Sequence, residues 1–289
     1  MKPVTLTRMK TVALPAGEQV PAFGMGTWRI GERPSSRAEE IATLRLGIEL
    51  GATLIDTAEM YGEGLAETLI GEAIEDRRDE VFLVSKVYPH NATRRGAVAA
   101  CERSLRRLNT DRLDLYLLHW RGSVPLAETV EAFEALRKAG KIRHWGVSNL
   151  DLADLQELQS VPDRRTAGRA AQTDQLLYNL AHRGIEWDLL PWLRERRIPV
   201  MAYSPLDEGR LLRHPKLADF ARRRGMSAVQ AALAWLLAKD DVIVIPKTSN
   251  RERLRENLGA LEHPLDAAAL AELDRIFPPP DGPRPLEMI

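Results

Sequence analysis

Cysteine is nearly absent. Cys101 stands alone in 289 residues, so no intrachain disulfide can form and a disulfide-stapled scaffold is excluded. Charge of one sign is not in surplus either. Lys and Arg number 41, and so do Asp and Glu. That balance leaves no basic excess to hold nucleic acid or an anionic membrane surface. Long hydrophobic runs are missing: the longest covers residues 231–238, against the roughly 20 that span a bilayer. The opening MKPVTLTRMKTVALPAG carries basic residues but no apolar stretch long enough for a signal peptide. A cytoplasmic location is therefore expected, and the sequon Asn91-Ala-Thr93 reads as chance.

Several chemistries lack their motifs. The six histidines, at 90, 119, 144, 182, 214 and 263, never fall in an HxH or HExxH spacing, so no metal site is expected. There is no GxSxG elbow and no GxxxxGK[ST] loop. Gly24-Met-Gly26-Thr-Trp-Arg29 begins like a GxGxxG fingerprint but ends in Arg29 and precedes no helical pattern.

What is present is ordinary globular composition, 44% hydrophobic and 28% charged, arranged as alternating strand and helix. TLIDTA from Thr53, VFLVSK from Val81, LDLYLLH from Leu113 and IRHWGVS from Ile142 are short apolar runs. AAQTDQ from Ala170, IPVMAYS from Ile198 and VIVIP from Val242 continue the series. Near-continuous apolarity marks strands buried on both faces, as in parallel sheets. Between them, Ser36-Arg-Ala-Glu39 has the spacing of a capping box, and Gly51 sits where a helix would stop. Ala97, Cys101, Leu105 and Leu108 form one apolar stripe, which makes Cys101 a small core residue. Further helices fit residues 125–138, 152–158, 188–196 and 227–238. An eighth strand is expected near residues 258–261. Eight βα units closing on themselves predict a single (β/α)8 TIM barrel over residues 1–289, with an open doubly wound sheet as the competitor. A hairpin turning at Ala16-Gly17 is expected to cover the barrel bottom.

In a barrel, chemistry belongs at the C-terminal ends of the strands. There the runs deliver Asp56, Lys86, His119, Ser148-Asn149, Asp174-Gln175, Ser204 and Lys247, with Tyr61 in the loop after Asp56. Singly, each has an ordinary reading: a helix cap, a solvated lysine, a core imidazole, a packing tyrosine. Converging, they could protonate a developing alkoxide. A lysine beside the phenol is expected to lower its pKa from about 10. A carboxylate would hold the lysine, and a neutral imidazole would orient a carbonyl oxygen. At the seventh strand's end, Lys247, Thr248, Ser249 and Arg253 run into a helix start suited to a phosphate, or to nothing more than a solvated basic face.

These motifs together carry a family resemblance. GIELGATLIDTAEMYGEG, LVSKVYP, LDLYLLHW, WGVSNL, MAYSPL and IPKTSNRERLRENL follow in order as in the aldo-keto reductases, which the chain resembles over residues 24–274. These are TIM-barrel enzymes that reduce carbonyls with NAD(P)H and neither metal nor flavin. Bacterial reductases of methylglyoxal and other small aldehydes are the most similar in pattern. The resemblance implies Tyr61 as general acid, with Asp56, Lys86 and His119 completing a tetrad. It implies Gly26, Thr27 and Trp28 at the nicotinamide end, and Ser148, Asn149 and Gln175 on its carboxamide. Tyr203 would stack on the ring, and Ser204, Pro205 and Leu206 would follow the pyrophosphate. Lys247, Thr248, Ser249 and Arg253 would grip a 2′-phosphate, and Glu256 and Asn257 would meet adenine, which makes NADPH the expected cofactor. Trp28, Tyr88, His119 and Trp120 would wall the pocket of a small carbonyl substrate, left open by a short C-terminal tail. Asp174 departs from the pattern, since many relatives carry Asn there. A monomer is expected. The alternative is a non-catalytic NADPH-binding subunit that senses redox state or serves a partner.

Overall fold

A computed structural model describes residues 9–161 and 171–289 of the chain. Two short strands open it, β1 (Thr11–Ala13) and β2 (Gln19–Pro21), paired antiparallel around Ala16-Gly17. They are the hairpin expected there. Val12, Leu14 and Val20 bury its inner face. Its turn meets the beginnings of barrel strands: the Ala16 amide donates to Gln172 (2.8 Å), while Glu18 takes Arg143 and His144. The hairpin therefore closes the N-terminal end of the barrel.

The barrel strands are β3 (Gly24–Gly26), β4 (Leu54–Asp56), β5 (Phe82–Val87), β6 (Leu113–Leu118), β7 (Ile142–Ser148), β8 (Asp174–Leu177), β9 (Val200–Tyr203) and β10 (Val242–Val244). They lie side by side in chain order, every pairing parallel. The ring shuts between its first and last strands. Phe23 bridges Val244, Gly26 bridges Lys247, and the Val244 amide donates to Ala22 O at 2.8 Å.

Two expectations about the strands are corrected. The eighth strand is not at residues 258–261, where a helix ends and a 3-10 turn (Gly259–Glu262) follows. It is β3, ahead of the run from Thr53, so Asp56 ends the second barrel strand. β3 lacks bulky β-formers because neither side has room for them: a Cβ on Gly24 would lie 2.4 Å from the Leu54 side chain on β4, and one on Gly26 would lie 2.8 Å from the Ile245 carbonyl across the seam. The run from Ala170 is also shifted. Ala170 lies outside the described residues, and β8 continues through Leu176 and Leu177, which pair with Ala202 and Tyr203. Asp174 and Gln175 thus open this strand rather than end it.

The helices packed around the barrel include α1 (Arg37–Glu49), α2 (Leu65–Ala73), α3 (Arg94–Arg107), α4 (Leu126–Lys138) and α5 (Leu152–Ser160). After them come α6 (Leu189–Glu195), α7 (Pro215–Arg223), α8 (Ala228–Leu237), α9 (Arg251–Leu258) and α10 (Ala267–Ile276). The capping box expected at Ser36 does not form. Ser36 has helical φ/ψ, whereas a cap needs extended backbone to aim its oxygen at the third amide. Its hydroxyl turns instead to Arg33 O and Glu40. A full capping box does form at Ser227 and Gln230, on α8. Gly51 takes φ +88 just beyond α1, as a helix stop requires. Cys101 is wholly buried on α3, where burial pushes its thiol up to about 12. No helix among the described residues is long and apolar enough to cross a membrane.

Candidate active site

The strand register brings chemistry-bearing side chains to one end of the barrel. Asp56 is the last residue of β4, and Lys86 comes one residue before the end of β5. His119 directly follows β6, and Ser148 closes β7. Tyr61 arrives from a 3-10 turn (Tyr61–Gly64) after β4. The loops on this face are held in unusual backbone conformations: Arg29, Glu63, Asn149, Ser204, Asp207 and Glu208 all have positive φ. Such strain is costly for non-glycine residues and gathers where side-chain placement matters.

Lys86 is completely buried, yet it bears a charge that must be met. Its ammonium donates to Asp56 Oδ2 at 2.8 Å, to Thr57 O at 2.7 Å and to the Tyr61 hydroxyl at 3.3 Å. The other Asp56 oxygen accepts from Gln175 Nε2 at 2.7 Å. Asp56, Lys86 and Tyr61 are thus one connected group. His119 completes it, its ring edge-on to Tyr61 with centroids 5.9 Å apart.

The electrostatics differ in one respect from the sequence expectation. Lys86 does not lower the Tyr61 pKa on balance. Burial first, and the Asp56 carboxylate second, raise it well above 10, so Tyr61 is a neutral phenol. Burial lowers the Lys86 pKa from its usual value, opposed by Asp56 and by Glu67 behind it. Burial, with Lys86 adding to it, drives His119 well below 6.5, so its imidazole is neutral at physiological pH. His119 Nδ1 is buried without a hydrogen-bond partner among the described residues.

A second chain of bonds crosses the next three strands. Ser148 Oγ donates to Gln175 O at 2.9 Å. Asn149 Nδ2 donates to Ser148 Oγ and to the His119 carbonyl, and the Tyr203 hydroxyl donates to Asn149 Oδ1 at 2.9 Å. The backbone of Ile289, at the chain's end, reaches that same hydroxyl. Thr27 is fully buried and donates to Asp56 O at 2.8 Å, so its side chain ties β3 to the tetrad. The loop of Ser204, Pro205 and Leu206 follows β9, anchored by Asn179 Nδ2 on Ser204 O.

Aromatic rings flank the group. Trp120 lies 4.9 Å from His119 and 5.8 Å from Tyr88, centroid to centroid. Trp28 is 40% exposed, with the Arg29 guanidinium stacked 4.2 Å over it.

At the β10 end, Lys247 and Arg253 are exposed, and neither side chain makes a hydrogen bond or ion pair with the described residues. The amides at the start of α9 are partly taken: Asn250 accepts from Glu252 N and Arg253 N, both at 3.0 Å. An anion here would meet side chains more than helix amides. Glu256 is half-exposed and Asn257 buried. Sequence reasoning missed Glu59. It is buried, accepts from the Tyr88 amide (2.9 Å) and Asn91 (3.0 Å), and so fixes the loop that carries Tyr88. A carboxylate three residues after Asp56 was the signal, masked by its lying in a loop. Among the described residues no cluster of metal-ligating side chains exists.

Comparison with known proteins agrees with this geometry. A family model described as the aldo/keto reductase family matches residues 22–277. The chain is 50% identical to the methylglyoxal reductase YeaE of Escherichia coli, over 98% of this chain and 100% of that one. It is 32% identical to a glyoxal reductase of Bacillus subtilis, over 94% of this chain and 96% of that one. A crystal structure of an aldo/keto reductase from Klebsiella pneumoniae, in complex with NADP and acetate, superposes with a TM-score of 0.93. It shares 49% identity and covers 98% of this chain and 100% of its own.

Proposed function

The chain belongs to the aldo/keto reductase family, and from that premise we propose that it is an NADPH-dependent reductase of small aldehydes and ketones such as methylglyoxal. The observation that carries the proposal is the buried Lys86 ammonium bonded at once to Asp56 and to the Tyr61 hydroxyl. The residues suit the cofactor. His119 Nδ1 is buried with no hydrogen-bond partner among the described residues, and Lys247 and Arg253, which make no hydrogen bond or ion pair with those residues, offer positive charge for a 2′-phosphate, which NADH lacks.

NADPH, when bound, supplies the hydride; the chain supplies position and a proton. His119, neutral, orients the carbonyl oxygen of the substrate. Tyr61, kept protonated by its buried site, donates to that oxygen as negative charge grows on it. The phenolate left behind is stabilised by the Lys86 hydrogen bond, and Asp56 holds Lys86 charged. Ser148, Asn149 and Gln175 are assigned to the nicotinamide carboxamide, and Tyr203 to the face of the ring. Ser204, Pro205 and Leu206 line the pyrophosphate, Thr248 and Ser249 assist at the 2′-phosphate, and Glu256 and Asn257 border adenine. Trp28, Tyr88 and Trp120 enclose a small substrate. We extend the reading to a cytoplasmic monomer of one domain with no nucleic-acid or membrane partner; the single eight-stranded sheet supports the one domain, and the balanced charge supports the lack of those partners.

Tyr61→Phe tests it. Acid catalysis contributes about 10²–10⁴-fold, so kcat for methylglyoxal should fall by at least that lower figure. NADPH binding, followed by fluorescence, should stay within about twofold because the fold-holding bonds of Asp56 and Lys86 remain. Turnover near the wild-type value in this variant would refute the role of Tyr61.

A further inference from the structure

Asp174 is a carboxyl group with no cation or hydrogen-bond donor side chain provided for it among the described residues. It is completely buried, and neither of its oxygens makes a hydrogen bond with the described residues. The other buried carboxyls are all provided for. Glu40 takes Gly31 N and Ser36, Asp56 takes Lys86 and Gln175, and Glu59 takes Tyr88 N and Asn91. Glu67 takes Ser85 and Arg107, Asp114 takes Arg78 and Arg143, and Asp207 takes Arg210. Gln175 points into the barrel to Asp56, so alternation along β8 turns Asp174 outward, toward the start of α5. The charged groups facing it there are Asp151 and Asp154, both acidic. Arg121 is engaged by Asp154 and Glu157 instead. The flanking strands present Val147 and Val200, and the Tyr203 phenol lies within electrostatic reach. Among the described residues, the backbone of Leu150 is the polar group that favours a charge on it.

We propose that Asp174 is a neutral carboxylic acid at physiological pH and that, in this form, it positions the 149–151 turn and with it the amide of Asn149. An isolated buried carboxylate costs far more than a neutral acid of the same shape, and a neutral acid is nearly the shape of an amide. Burial pushes the carboxyl well above the usual range, with the Leu150 backbone opposing it. Leu150 directly follows Asn149, whose left-handed backbone and bonds to Tyr203 and the His119 carbonyl set the spacing of the second bond chain. Asp174 touches neither substrate nor cofactor; it acts through the turn, whose Asn149 amide donates to the O of neighbouring Gln175 at 3.0 Å. The last step rests on the reading that Asn149 holds the carboxamide.

Three measurements test it. The infrared difference spectrum of wild type minus Asp174→Asn at pH 7 should contain the carbonyl stretch of a protonated carboxylic acid; a carboxylate stretch instead overturns the proposal. Urea unfolding gives the pH sign. The unfolded carboxyl titrates near pH 4, so between that value and the raised folded value the native state holds a proton the unfolded state has lost. Wild-type stability then falls as pH rises. Asp174→Asn does not titrate, and its advantage should widen from about pH 5 to about pH 8, by up to tenfold in the folding constant per unit. A constant or shrinking gap overturns the neutral acid. Finally, Asp174→Ala should raise the NADPH Kd about tenfold with kcat little changed, and Asp174→Asn should restore it. An unchanged Kd, or no rescue by Asn, overturns the positioning role. Asn149→Ala is the control for the underlying reading: if it leaves NADPH affinity intact, the carboxamide assignment fails while the infrared and unfolding results stand apart from it.

Discussion

Single residues decide the chemistry, and they were legible in the sequence only together, as a set converging on strand ends. Asp56, Lys86 and His119 end or follow apolar runs, and a polar residue there is exposed to notice because its neighbours are not polar. Their charge states were less legible. The phenol of Tyr61 was expected to titrate lower beside a lysine, yet burial and Asp56 raise it, because depth is a tertiary quantity that spacing does not encode. Arg253 belongs to this scale too. It is exposed and unpaired among the described residues, so its loss should leave the fold unchanged. Arg253→Ala should weaken NADPH about tenfold, a solvent-screened charge-assisted contact, and leave NADH within about twofold. Titrations with the two cofactors check this; equal losses would remove the phosphate assignment.

Whole elements were read well where apolar periodicity was strong and badly where contact replaced composition. β5, β6 and β7 are fully or largely buried and stand where the apolar runs placed them. β3 was missed because Gly-Met-Gly carries no strand signal; its form is dictated by Leu54 on the neighbouring β4 and by Ile245 across the seam. The helix start at Ser36 was misread for a related reason: the S-x-x-E spacing is there, but a preceding 3-10 turn (Pro34–Ser36) fixes Ser36 in helical backbone. Gly26→Ala should make the seam measurable. Its new methyl would press on the Ile245 carbonyl from 2.8 Å, and such overpacking costs about 1–3 kcal/mol. Urea denaturation should show that loss, together with reduced turnover, since the neighbouring Thr27 carries the bond to Asp56.

Over the whole molecule, stability and chemistry occupy opposite ends of the barrel. The hairpin buries Val12 and Val20 against the strand beginnings, far from Tyr61. Val20→Ala should therefore cost about 1–2 kcal/mol in urea unfolding, for the methyl groups lost and the space left. Its kcat/KM should stay at the wild-type value; a large fall would mean that the two ends communicate. The ring closure of β3 onto β10 has a kinetic corollary. Its partners lie near opposite ends of the covalent chain, and Thr27 fastens that joint directly to Asp56. A half-built ring leaves Asp56 without the Gln175 side chain that reaches it from β8 and leaves the acid group incomplete. During refolding, reductase activity should therefore return with the final stitching of the circle and not with the earlier growth of secondary structure.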